Sequence, residues 1–168
     1  MTHEITPQVG YGPIKFGMSS AEVEQILGVP SKTEAAVPKG EKDEEEIEHY
    51  GNQHYSWYGE NHTDSNLPQI TYADDKVIGI TIFKQSGPLT YKGMDLHKFK
   101  KREEVLEVLA QGEDTYYYNE QFYFYPKSGL VIASPENMKR FFFVELTLTQ
   151  AMMPHLEYEM YEPSTDLD

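Results

Sequence analysis

Metal chemistry needs histidines or carboxylates at ligand spacing, and a zinc-binding helix needs two of them one turn apart. The histidines His3, His49, His54, His62, His97 and His155 do not supply this. The nearest pair, His49 and His54, falls in a stretch that reads as loop running into strand. No metal site and no cofactor is expected.

Acid–base chemistry of the glycosidase kind needs two carboxylates that only the fold brings together. With 28 Asp and Glu the composition allows such a couple and specifies none. Asp74-Asp75 reads as a turn, where Asp bonds its own backbone, and Glu44-Glu45-Glu46 reads as a solvated face. Oxygen ligands alternating around a central glycine, as a calcium loop requires, do not occur. Nucleophilic chemistry fares no better: there is no cysteine and no G-x-S-x-G elbow, and Ser19-Ser20 has no histidine nearby in sequence. Gly12 and Gly17 precede a helix start, yet Lys15 is misplaced for a phosphate loop. No catalytic residue is assigned, and the chain is read as a non-enzyme.

Charge and aromatic content remain. Lys and Arg total 14, giving a net charge of −14, which repels nucleic acid and anionic lipid and favours encounter with basic surfaces. The expected partner is a basic protein, with neither nucleic acid nor membrane. The aromatics number 13 Tyr, 8 Phe and 1 Trp. In 121–125, period two sends Phe122 and Phe124 to one face of a strand and Tyr123 and Tyr125 to the other, with phenylalanine expected inward and tyrosine outward. Tyr55 and Trp57 make a similar row, to which Tyr116 and Tyr118 add. Tyr55, Trp57, Tyr116, Tyr118, Tyr123 and Tyr125, with Glu44, Glu45 and Glu46, are therefore the candidate partner-binding residues, because Tyr and Trp supply large rigid contacts. For a single tyrosine, cross-strand stacking that stabilises the sheet is the competing explanation.

The elements that must carry these residues are legible in part. Ser19 with Glu22 can form a capping box, Gly28 can close a helix in the left-handed conformation, and Pro30 stops it, so a helix is predicted over about 20–27. The run 38–48 reads as an exposed loop or frayed helix start. Strands are predicted at 54–58, 69–73 and 77–83, the last two joined by a tight turn at 73–76. Polar, breaker-rich stretches occupy 60–68 and 84–92. A similar order then returns: a helix over 102–110 closed by Gly112, and strands at 115–118, 121–125, 130–133 and 141–148. Val105, Val108 and Leu109 stand in this helix where Val23, Ile26 and Leu27 stand in the first. The stretch 155–168 is acidic and is expected to be ordered at most in part.

The run Ile14-x-Phe16-Gly17-Met18-Ser19-x-x-Glu22-Val23-x-x-x-Leu27-Gly28-x-Pro30 resembles the helix start of the beta-lactamase-inhibitor-like superfamily, which also takes in small outer-membrane assembly lipoproteins of the SmpA/BamE type. The resemblance implies a tandem repeat of helices on a continuous antiparallel sheet whose open face grips a protein. It also points to bacterial immunity proteins of toxin systems.

The sequence reading is an α+β chain forming one domain from two repeats, about 10–84 and 92–148, with short helices on one face of a continuous antiparallel β-sheet and an acidic tail at 155–168. It is expected to be a cytoplasmic, immunity-type inhibitor that binds a basic partner such as a toxin through an acidic and aromatic open sheet face. The alternative is a small-molecule-binding or hydrolytic protein with a cleft between the repeats, lined by Tyr and His. No stretch approaches the ~18 consecutive apolar residues of a membrane span.

Overall fold

In the computed structural model, residues 4–40, 42–58, 67–83, 89–120, 122–133 and 143–167 are described. Most of the loop expected at 60–68, the first half of the junction at 84–92, and residues 121, 141 and 142 of the expected strands lie outside them.

The chain opens with three two-residue strands, β1 (Ile5–Thr6), β2 (Gly10–Tyr11) and β3 (Ile14–Lys15), which form a small sheet of their own. Helix α1 (Ser20–Leu27) begins where its capping box requires: the Glu22 amide donates to Ser19 Oγ at 3.2 Å, and the Ser19 amide donates to Glu22 Oε1 at 3.2 Å. Gly28, at φ 88°, ends it. There follow β4 (Pro30–Ala35), α2 (Glu44–Tyr50), β5 (Gln53–Tyr58), β6 (Gln69–Ala73) and β7 (Lys76–Phe83). The β6–β7 turn places Asp74 and Asp75 at φ 50° and 60°, the left-handed pair that a two-residue hairpin needs.

Beyond the junction come the hairpin β8 (Thr90–Tyr91) and β9 (Met94–Asp95), a 3₁₀ turn at Leu96–Lys98, and α3 (Arg102–Ala110). Strands β10 (Tyr116–Tyr118), β11 (Phe122–Tyr125), β12 (Leu130–Ala133) and β13 (Phe143–Thr147) complete the second half. The chain ends with α4 (Thr149–Met152), a 3₁₀ turn at Met153–His155 and β14 (Glu162–Ser164).

Nine of these strands form one antiparallel sheet in the order β14-β10-β11-β12-β13-β7-β6-β5-β4. Strands β13 and β7 pair at its centre, in register from Phe143 opposite Phe83 to Thr147 opposite Gly79. A four-stranded meander runs outward on each side, and each is preceded in the chain by a helix.

Alternation along the strands and their register place Tyr58, Ile70, Tyr72, Ile80, Ile82, Leu130, Ile132, Val144 and Leu146 on one face. There they form one buried cluster with Val23 of α1 and Val105, Val108 and Leu109 of α3. Each fully buried aliphatic side chain of this cluster is worth roughly 1.5–3 kcal/mol. The opposite face carries a second, smaller cluster in which Phe124, Val131 and Leu156 are buried and Phe122, Met152 and Tyr161 pack around them.

Two expectations are corrected here. Helices lie over both faces of the sheet, α1 and α3 over one and α2 and α4 over the other, because the C-terminal segment supplies Met152 and Leu156 to cover apolar surface that would otherwise face water. The stretch 155–168, expected to be ordered at most in part, adds β14 to the sheet edge through Tyr116–Tyr118. The order of the aromatics in β11 is also reversed. Tyr123 and Tyr125 face the larger cluster, Tyr125 being buried, while Phe122 and Phe124 face the smaller one. Period two assigns residues to a common face without saying which face lies deeper.

The turn between β11 and β12 is held from outside. Glu113, 8 % exposed, accepts from the Lys127 amide at 2.8 Å and the Ser128 amide at 3.2 Å. Gly129 has φ 76°, and a Cβ on it would come 2.2 Å from the Thr147 carbonyl, so only glycine fits. Among the described residues no helix is long and apolar enough to cross a membrane.

Candidate functional site

The second face of the sheet becomes a floor where α2 and the C-terminal segment lean over it. From β13 come Phe143, Glu145 and Thr147; from β7, Ile78 and Gly79; from β6, Thr71; and from β5, Gln53 and Tyr55. Gly79 keeps this floor low. A Cβ there would lie 3.3 Å from Thr71 Cβ and 3.4 Å from Glu145 Oε1. Glu46 and Tyr50 of α2 close one side, and Ala151 and Met152 of α4 with His155, Glu159 and Tyr161 close the other. The space they border is about 440 Å³, is partly open to solvent and lies over the central β13–β7 pair.

The roof is assembled from its own local chemistry. Helix α2 starts at Asp43, whose carboxylate accepts from the Glu45 amide at 3.0 Å and the Glu46 amide at 3.2 Å. Glu44, Glu45 and Glu46 fill its first turn, where the helix dipole favours negative charge. At its other end His49 and Tyr50 grip the C-terminal segment. His49 and His155 meet Nδ1 to Nδ1 at 2.7 Å, His49 stacks on Tyr158 with ring centres 4.5 Å apart, and the Tyr50 ring lies 4.8 Å from that of His155. The Tyr50 hydroxyl donates to Glu159 Oε1. Glu159 is positioned in turn by its amide, which donates to the His155 carbonyl at 2.9 Å.

These groups shift one another's protonation. Burial, followed by the charge of Glu159, pushes the Glu145 carboxyl up to about 7, against a hydrogen bond from the Thr81 hydroxyl. Burial and then His49 pull the His155 imidazole below its ordinary value, with Glu159 opposing. Burial, followed by the hydrogen bond to Glu159, raises the Tyr50 phenol; burial, followed by the charge of Glu145, raises those of Tyr55 and Tyr161. All three phenols therefore stay neutral. The site can hold a proton on Glu145 near neutrality and can surround a positive charge. Among the described residues no group of three or more His, Asp or Glu is placed to hold a metal ion.

The sequence-selected residues divide among three places. Tyr55 and Glu46 line the cavity, while Glu44 and Glu45 stand exposed on the outer part of α2. Trp57 shares the face of Tyr55 and takes Lys32 Nζ over its ring at 5.1 Å. Tyr116, Tyr118, Tyr123 and Tyr125 lie on the opposite face, where all but Tyr118 line a groove of about 520 Å³ against α3 with Glu103, Glu107 and Asp166. Tyr116 stacks on Tyr125 at 5.9 Å. Tyr118 donates to Glu162 of β14 at 3.3 Å. The sequence-selected residues thus do not form one surface.

Glu145, Glu159, His155, Tyr50 and Tyr161 were not singled out by the sequence. Only Glu145 left a signal there: it is the one charged residue within the apolar run 141–148, so its side chain had to reach something other than core. No family model, no curated protein and no solved structure matches the chain.

Proposed function

We propose that this protein binds a small molecule in the roofed cavity over the central strand pair, and that it binds rather than transforms it. The observation that carries this reading is the convergence of Glu145, Glu159, His155 and three phenols on one space of about 440 Å³. That size lies within the roughly 300–1,000 Å³ usual for small-molecule sites, and perturbed titrating groups gather at such sites. Turnover is not part of the proposal because no pairing of a nucleophile with a base is seen among the described lining residues. A fragment screen read by thermal shift tests it. Stabilising fragments whose effect is abolished by Tyr55→Ala support the reading, and a screen in which every stabilising fragment acts equally on that variant removes it.

In this reading the two meanders, each with its preceding helix, are copies of one unit, and the cavity is the cleft at their junction. The mirrored strand order about β13 and β7 supports that view, as does the similarity of the α1 run to the inhibitor-like superfamily.

A second reading rests on the groove beside α3. Its row of Tyr116, Tyr123 and Tyr125, flanked by Glu103, Glu107 and Asp166, suits a basic protein, as an immunity-type inhibitor of a toxin would require. Co-expression with the neighbouring reading frame tests it: rescue from that neighbour's toxicity, lost in Tyr116→Ala/Tyr123→Ala, supports it, and absence of rescue counts against it.

A further inference from the structure

Three glutamates, Glu46, Glu145 and Glu159, line the cavity over β13 and β7, and among the described residues neither lysine nor arginine does. None of the three joins an ion pair among those residues. Carboxylates gathered in a partly enclosed space repel one another and lose hydration, so a ligand of opposite charge relieves both effects.

The walls are suited to the same charge. Tyr50, Tyr55 and Tyr161 bring aromatic rings to the cavity, and aromatic rings attract cations. The Tyr55 and Tyr161 hydroxyls have no hydrogen-bond partner among the described residues, which leaves two groups able to accept from an N–H donor. A metal ion would instead need several oxygen or nitrogen ligands at fixed short range, and no group of three or more His, Asp or Glu is so placed among the described residues. Apolar surface from Phe122, Val131 and Met152 extends the lining beyond the charged part.

We infer that the cavity takes a small organic ammonium ion, its charge answered by Glu145 and Glu159 and its apolar body held against the aromatic wall. This rests on the small-molecule reading of the cavity and names the ligand's class. The rise of the Glu145 carboxyl to about 7 adds a consequence: a bound cation favours the carboxylate, so binding near neutral pH releases a proton.

Three probes of similar shape and different charge decide the matter: benzylammonium, benzyl alcohol and benzoate, each titrated into the full chain by calorimetry at about pH 7. Benzylammonium is expected to bind at least about tenfold more tightly than benzyl alcohol, with benzoate weakest and with proton release on binding. Glu145→Gln and Glu159→Gln should each remove most of that preference, their folds checked by far-ultraviolet circular dichroism. Glu159→Gln serves alone if the first variant does not fold. Equal or tighter binding of benzyl alcohol or benzoate in the cavity overturns the cation inference and leaves the binding reading standing. Benzylammonium that binds both variants as it binds the parent, or does not bind the parent, also overturns the inference. Only a fragment screen with no cavity binder of any charge removes the binding reading with it.

Discussion

His49 of α2 and His155 of the C-terminal segment face each other Nδ1 to Nδ1 at 2.7 Å. One ring must donate and the other accept, so the contact requires an unprotonated Nδ1 on at least one of them. It links two elements 106 positions apart in the chain and forms the clasp of the roof.

Acid should loosen that clasp. The His155 imidazole is held below its ordinary value by burial and His49, so its contribution to stability is present above the unfolded value near 6.5 and is lost as pH falls towards the folded one. Urea unfolding of His155→Gln should show a shallower loss of stability than the parent between about pH 7 and 5. Parallel curves for the two proteins would contradict this.

Glu145 acts with the opposite sign. Its carboxyl is raised to about 7, so the fold favours the protonated form; the stability it contributes is complete below about 4.5 and is lost as pH rises through 7. A rise of that size corresponds to about 3 kcal/mol. Glu145→Gln should therefore be more stable than the parent at about pH 8, by up to that amount, and nearly equal to it at about pH 4. Lower stability of the variant at pH 8 would show that the carboxylate is favourably paired.

The buried hydroxyls of Tyr58 and Tyr72 lie 2.6 Å apart in the larger core. Tyr58 is the one side-chain partner of the Tyr72 hydroxyl among the described residues. Tyr58→Phe should cost about 1–3 kcal/mol by stranding the Tyr72 hydroxyl, and adding Tyr72→Phe should recover part of that loss. Additive losses in a double-mutant cycle would count against the pairing.

Glu113 holds two amides of the β11–β12 turn with one carboxylate. Glu113→Ala should destabilise the protein by about 1–3 kcal/mol and speed hydrogen exchange at Lys127 and Ser128. Unchanged exchange at those amides would remove this role.

Locally signalled elements were legible in the sequence. Ser19, Glu22, Gly28 and Pro30 fixed α1 at both ends, and apolar periodicity located α3 and the strands β6, β7 and β12. Strand β4 escaped notice because it is an edge strand with five exposed residues in six and so carries no apolar alternation. Helix α2 was legible only as an exposed loop or frayed helix start over 38–48, because none of its residues is buried and only Asp43 marks its start. A cleft between the repeats was legible as the alternative, but its carboxylates were hidden: Glu145 and Glu159 stand on a central strand and on the terminal segment, and only the C-terminal return to the β10 edge places them over the same floor. Tyr55 was selected for its strand position, and that position does face the cavity.

The most direct test is two-dimensional NMR of the full chain during a fragment titration. Binding in the roofed cavity predicts shifts concentrated at Thr71, Gly79, Glu145 and Glu159, which Gly79→Ala should diminish by raising the floor. Shifts confined to Tyr116, Tyr123 and Glu107 beside α3, or no shift at the cavity residues with any fragment, would contradict it.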